Sequence, residues 1–492
     1  MTKFSFTTEP QLKILTRDNV ETIHTTSLRI LEQVGVTIDN RQALEILEKG
    51  GCEVDRTTNH ALIPQHLAIE SIHKAPSAIH MQSLDGKHNL ELTGNRVYYD
   101  PGSSALFYLD HNDAKIRRPT SQDLADLVRL TDALENVEAQ STAMVVSDVP
   151  DTVVDRYRLY IVLKNSAKTI ITGTFSIDGV PDMRRMLEAV VGGEKKLRKE
   201  PLAIFDCCPS APLKWSEITA QNLIDCAKWL IPSEIAPVPQ LGATSPATIA
   251  GSIAQLNAEF LSGLVIAQLA QPGAPVIYGG SPTTFDMRYA TPRLGAIETI
   301  ITDCAYAQIG KYYGLPTHAY LGISDSKLVD AQTGIEASLG LVLGALAGIN
   351  VISGPGMLYN ENCQSLEKLV LDDAVCGMAK RLVRGVEVSD QTLAFEAIRK
   401  VGSKGHFLAL KHTNEWFRKE QFMPSAVIDR QGLKPWLDSG AKDAYQRARE
   451  SVDRILRDHK PQPLVPECEK ALNEVTREIL SKKGVGKMPL GP

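Results

Sequence analysis

No Cys-x-x-Cys spacing occurs anywhere in the chain. The eight cysteines are scattered, and Cys207 and Cys208 are adjacent. Neither a thiolate metal site nor a disulfide framework is indicated, and a reduced compartment is the expectation. No apolar run is long enough to cross a bilayer; the longest, Ser338–Ile352, is interrupted by Gly and Asn. The opening MTKFSFTTEPQLKIL lacks the apolar core of an export signal, so a cytoplasmic protein is expected. A net charge of −5 leaves no basic footprint for nucleic acid or anionic lipid. No phosphate loop, no G-x-G-x-x-G after a first strand and no H-E-x-x-H appears. Nucleotide and zinc-hydrolase chemistry therefore lack a motif, and no bound metal is expected.

What is present is a recurrence of short apolar runs, most of them separated by one helix-sized stretch. They are Val137–Val146, Lys168–Phe175, Leu202–Cys207, Ile235–Ala243, Pro275–Gly280, Leu315–Ile323, Asn350–Gly354 and His406–Lys411. Such runs are too short to be spanning helices, and their lack of alternation suits strands buried on both faces. Eight strand–helix repeats predict an α/β fold, a (β/α)8 barrel, with its active site at the C-terminal strand ends. The chain of 492 residues exceeds a bare barrel of roughly 250. Residues 1–135 are accordingly expected to form helices and a β-hairpin capping the barrel, 136–415 the barrel, and 416–492 a helical extension.

Within the first segment, DNVETIHTTSLRILEQVG and RQALEILEKGG read as helices, the first capped by Asp18 or Thr22. Arg96–Asp110 reads as an aromatic hairpin around a D-P-G turn. The tail, KDAYQRARESVDRILRDHK and ECEKALNEVTREILSKKG, gives two charged amphipathic helices suited to capping or to contact between copies.

Gly, Ser and Thr dominate the run ends, which predicts a wide mouth with few charges. The sixth run ends most densely, with His318, Tyr320, Asp325, Lys327 and Asp330. His318 and Tyr320 share one face of a strand. Asp325 or Asp330 also suits capping of a helix starting near Ala331, and Lys327 admits a Schiff-base role.

Several segments in order resemble the trimethylamine methyltransferase (MttB-type) family over nearly the whole length. They are IHTTSLRILEQVGV, YYDPGSSALFYLD, DCCPSAPLKW, PVIYGGSPTTFDMR, THAYLGISDSKLVDAQ and ISGPGML. The resemblance implies a TIM barrel that moves a methyl group from a methylamine to the cobalt of a corrinoid on a separate small protein. The archaeal founder uses pyrrolysine, expected here near Ser324–Asp330. This sequence holds only the twenty standard residues, which is similar to the branch that demethylates quaternary amines.

A quaternary ammonium already carries the charge that lets a tertiary amine leave. Displacement by Co(I) therefore needs chiefly orientation. The resemblance thus implies a glycine betaine:corrinoid methyltransferase, with proline betaine and carnitine as alternative substrates. A Lys327-dependent lyase and a non-catalytic betaine-binding protein are the rival functions. His318, Asp325 and Lys327 are the catalytic candidates. Tyr99, Phe107, Tyr278, Phe285 and Tyr320 are candidates for an aromatic cage, at roughly 0.5–2 kcal/mol per cation contact. His318, Lys327, Arg288 and the backbone near Gly354 and Gly356 are the candidate partners of a betaine carboxylate. The expected partners are a small protein carrying cobalamin in the Co(I) state and, from base rates, further copies of the chain.

Overall fold

The structure is a computed structural model that describes residues 10–403 and 405–491. Eight parallel strands organise it: β1 (Tyr98–Asp100), β2 (Gln140–Ser141), β3 (Ile170–Thr172), β4 (Ala203–Cys207), β5 (Ser233–Ile235), β6 (Val276–Tyr278), β7 (His318–Ala319) and β8 (Val351–Ser353). Strands β2 to β6 pair in sequence as one parallel sheet. A second parallel sheet runs β7-β8-β1. A parallel bridge between Tyr278 and Thr317 links β6 to β7. At the other end, Ala139 N donates to Tyr99 O at 3.1 Å, linking β1 to β2.

Each strand is followed by a helix: Ser121–Ala133, Val154–Asn165, Gly179–Val191, Glu217–Trp229, Ile249–Ala270, Ile297–Tyr312, Ala331–Leu346 and Leu366–Val383. Ile249–Ala270 is apolar and long enough to span a bilayer, yet it is largely buried by the surrounding chain, as a core helix is. Asp330 caps Ala331–Leu346 by accepting from Thr333 N at 3.1 Å. Gly340 lets this helix press onto the chain leaving β7, where an added Cβ would lie 2.5 Å from Gly322 N.

The strand positions alternate in function, because successive side chains face opposite ways. Tyr98, Ala139, Ile171, Ile204, Ile277 and Val351 meet in one apolar cluster with Ile79, Met81, Leu90 and Leu92 of the hairpin Ile79–Met81/Leu90–Leu92. Two residues further along the strands, the same face carries Asp100, Ser141, Gly173, Asp206, Gly279 and Ser353. The apolar layer therefore supports a polar one at the C-terminal strand ends.

Three expectations are corrected. His406–Lys411 is no strand: it is a turn entering the helix Lys411–Glu420, with Leu408 83% exposed. A short apolar run without a buried face has nothing to pack against as a strand. The eighth place belongs to β1, at what was expected to be one arm of a hairpin. Phe107–Leu109 does not pair with it but joins Cys363–Gln364 and Ile116–Arg117. Asp100 Oδ1 accepts from Gly102 N at 3.0 Å, with Gly102 at φ +72°, so the D-P-G sequence ends a parallel strand rather than reversing it. The first helix, Arg17–Gln33, is capped by Thr16 rather than Asp18 or Thr22. The tail forms the expected helices, Ala444–Asp458 and Pro466–Lys482. They dock on this same chain, through His459 on Asp132 and Tyr160 on Asn473.

Candidate active site

The polar layer holds a hydrogen-bonded chain of buried side chains. His318, fully buried on β7, places Nε2 2.7 Å from Ser353 Oγ on β8. Ser353 Oγ in turn donates to Asp100 Oδ2 on β1. Because Ser353 spends its single proton on Asp100, it accepts from His318 Nε2–H. Burial pushes the imidazole down to about 4, so the ring is neutral and Nδ1 carries a lone pair. Glu234 Oε1 on β5 lies 2.6 Å from that Nδ1. Burial holds Glu234 well above the ordinary carboxyl value, which keeps it a neutral acid. Neither its Oε1 nor His318 Nδ1 meets a hydrogen-bond partner among the described residues, so the approach is a close contact and not a hydrogen bond.

Tyr320 stands edge-on to His318, with ring centroids 4.7 Å apart. Its hydroxyl lies 3.4 Å from Asp206 Oδ2 and 3.3 Å from Ser103 Oγ. Asp206, near the end of β4, is held well above the carboxylate range, first by burial and then by the neighbouring acid Glu234, which disfavours a second charge. Its Oδ1 meets no hydrogen-bond partner among the described residues. Burial likewise raises Asp100, to about 7. Glu361, partly exposed, is also held well above the ordinary value, by burial and then by Asp206 and Asp100.

The loop that delivers Glu361 is strained. Tyr359, Asn360 and Glu361 occupy the left-handed region in succession, with φ of 50°, 53° and 69°. Side-chain-bearing residues visit this region singly, at roughly 1–3 kcal/mol each. Tyr359 N to Ser326 O (2.8 Å) and Asn360 N to Ser324 O (3.3 Å) pin the loop to the chain after β7. Four carboxyl groups thus converge on a neutral histidine and a tyrosine. Their shared field repels anions and attracts a cation.

Residues 2–480 match the family Trimethylamine methyltransferase (MTTB). The chain belongs to this family. It is 33% identical to trimethylamine methyltransferase MttB of Desulfitobacterium hafniense, over 94% of this chain and 93% of that one. Glycine betaine methyltransferase of Desulfitobacterium hafniense is 30% identical over 94% and 96%. The solved monomethylamine methyltransferase (MtmB) of Methanosarcina barkeri shares the fold with a TM-score of 0.53 at 12% identity, over 92% of this chain and 89% of that one.

Of the residues singled out in this methyltransferase-family sequence, His318 and Tyr320 lie in the cluster. Tyr99 and Tyr278 point the other way, into the helix layer: Tyr99 OH donates to Leu341 O at 3.2 Å, and Tyr278 OH to Asn257 Oδ1 at 2.8 Å. Strand alternation places them there, one position out of phase with Asp100 and Gly279. Phe107 packs beside Tyr359 in the outer sheet. Phe285, Arg288 and Asp325 line a separate groove of about 540 Å³. There Arg288 pairs with Asp286, and Asp325 Oδ1 accepts from Gly295 N. Lys327 is exposed, its ammonium donating to Asp325 O at 2.8 Å, so it stands in solvent and outside the His318 cluster. Gly354 and Gly356 serve close packing: an added Cβ would lie 2.2 Å from Leu321 O and from Gln364 Oε1 respectively.

Asp100, Glu234, Ser353 and Glu361 were not among the candidates. An acid embedded in an otherwise apolar strand is the signal for Glu234 and Asp100. Glu361 has no local signal, since its role comes from the loop's path. Among the described residues, no three His, Cys, Asp or Glu side chains are arranged to hold a metal ion.

Proposed function

We propose that the protein transfers a methyl group from a small quaternary amine, glycine betaine first, to the Co(I) centre of a corrinoid carried by a separate small protein. The observation that carries this reading is the buried, unpartnered Oδ1 of Asp206 beside Asp100 and Glu361, none of the three ion-paired to a lysine or arginine among the described residues. A quaternary ammonium donates no hydrogen bond, so it is held by charge and by ring faces. Asp206 Oδ1 offers the unpaired charge, and Tyr320 the ring. Membership of a methyltransferase family and 30% identity to a glycine betaine methyltransferase support the same chemistry. A sequence of standard residues only supports a quaternary donor over trimethylamine.

The eight strands, linked at both seams, read as a closed (β/α)8 barrel spanning residues 98–383, a unit that starts earlier and ends earlier than 136–415. The loops leaving its strand ends carry exposed apolar side chains: Leu106, Phe175, Val238, Met287, Leu328 and Tyr359. Such a rim, drawn from six of the eight loops, fits a broad apolar ring and a protein around it. When bound, the corrinoid supplies the cobalt nucleophile. This chain's residues hold the ammonium and aim one N-methyl outward.

The test is methyl transfer to Co(I) cobalamin, followed by absorbance, with glycine betaine, proline betaine, carnitine and trimethylamine compared. Transfer from a quaternary amine and not from trimethylamine is expected. Transfer from trimethylamine alone, or from none with a competent corrinoid protein present, overturns the reading.

A further inference from the structure

One buried cation in the same region has no carboxylate. Arg158, on the helix Val154–Asn165, is 1% exposed. Its Nη2 donates to Thr142 O and, at 3.4 Å, to Ser104 Oγ. Among the described residues Nε meets no acceptor and no carboxylate oxygen comes within ion-pair distance. Arg156, two residues earlier, is engaged by three carboxylates, Asp155, Asp178 and Asp182. Local acids are therefore available and all turn to Arg156. Phe175 covers the Arg158 guanidinium at 5.2 Å.

Thr142 follows β2, Ser104 follows β1, Phe175 follows β3 and Asp206 is near the end of β4. Arg158 therefore sits at the same strand ends as the carboxyl cluster, and Asp155 first and Asp206 second act on it through space without forming an ion pair among the described residues. A guanidinium out of water costs several kcal/mol unless an anion meets it, and its planar fork suits a carboxylate held by two parallel hydrogen bonds.

We propose that Arg158 is the receptor for the carboxylate of a zwitterionic substrate, a small quaternary-ammonium carboxylate whose cationic end lies towards Asp206. This inference rests on the quaternary-amine reading and adds the residue that separates betaines from amines lacking an acid. Arg158 binds and orients; the bond that breaks is at the other end of the molecule.

The experiment compares wild type, Arg158→Gln and Arg158→Lys with three probes: glycine betaine, choline, which lacks the carboxylate, and 3,3-dimethylbutyrate, the betaine isostere lacking the charge. Loss of one charge-assisted carboxylate contact should raise KM for betaine about 10- to 100-fold in Arg158→Gln. The rise in KM for betaine should exceed any fall in its kcat, and the calorimetric affinity for choline should stay unchanged. Calorimetric binding of 3,3-dimethylbutyrate should weaken in parallel. Arg158→Lys, which keeps the charge and loses the fork, should fall between and carries the test if Arg158→Gln does not fold. Betaine KM unaltered, or betaine and choline impaired together, overturns the proposal. Wild type inactive with every amine overturns the quaternary-amine reading instead, and dimethylbutyrate binding then still reports on Arg158.

Discussion

Cation binding at the carboxyl cluster should release a proton, and the size of that coupling follows from the structure. Asp100 titrates at about 7 because burial disfavours its charged form; Asp206 and Glu361 are shifted in the same direction. A unit charge about 5 Å from a carboxylate, at an effective dielectric near 20, gains roughly 3 kcal/mol. That is about two pKa units, enough to ionise one carboxyl at neutral pH. With a free-state pKa of about 7, the ionised fraction rises from about a tenth near pH 6 to about nine tenths near pH 8. Affinity for a quaternary cation should therefore rise about tenfold over that interval, with about one proton released per cation at pH 6. Titration calorimetry of glycine betaine in phosphate and in imidazole separates the two signals, since the buffers' ionisation enthalpies differ. Asp206→Asn should reduce the proton release. Flat affinity, with heats independent of buffer, would refute the assignment of these carboxyls as counter-charges to the substrate.

Glu234→Gln replaces a neutral acid by a neutral amide of the same shape and should change stability little in urea, whereas Glu234→Leu removes a buried polar neighbour of Asp206 and should cost about 1–3 kcal/mol. Equal losses in both variants would sink the assignment of Glu234 as the neutral acid. Gly340→Ala drives a methyl group against the backbone nitrogen of Gly322, where no side chain can yield. A loss of about 1–3 kcal/mol and a lower melting midpoint are expected, and an unchanged midpoint would show that the helix shifts freely. His111 bonds Glu367 and Asp453 at 2.7 and 2.8 Å, tying Leu366–Val383 to Ala444–Asp458. Its pKa is raised, first by the hydrogen bond it donates to Glu367. The stability it adds is fully present below its unfolded value of about 6.5 and is lost as pH rises through the folded value. Urea denaturation of His111→Gln should thus differ from wild type at about pH 5.5 and converge with it in mild alkali; a constant gap would mean that the proton does not matter.

The strand–helix repeat was legible because an apolar strand covered on both faces leaves an unmistakable run. Ile170–Thr172 and Val276–Tyr278 are such strands. Where burial came from a distant partner, the local pattern misled. Tyr98–Asp100 reads as a hairpin arm until Val351–Ser353 is seen beside it. HFLALK is as apolar as a strand, yet nothing packs over Leu408. The site followed the same division. His318 and Tyr320 stood out by alternation, but the sequence run was started at Ile235, one residue past Glu234. Arg158 lies in a helix whose residues from Val154 to Leu163 are all buried. A charge there signals a special environment, which only the burial of that whole helix reveals.

A cage for a methyl donor faces an electrostatic conflict that these raised pKa values resolve. The ammonium is positive when it binds and neutral once its methyl has gone, so positive charge fades along the reaction. Fixed carboxylates would stabilise the bound cation more than the transition state, and each would add to the barrier what it contributed to binding. A carboxyl group titrating near neutrality behaves differently. It gives up its proton when the cation arrives and regains one as the charge disappears, so the attraction weakens in step with the need for it. Burial, with no ion-paired cation beside them among the described residues, holds Asp100 at about 7 and pushes Asp206 and Glu361 in the same direction. An added lysine among them would lower all three and lock the charge in place. The same reasoning separates Arg158 from the cluster: the substrate carboxylate keeps its charge throughout, so a permanent guanidinium suits it at every stage of the reaction.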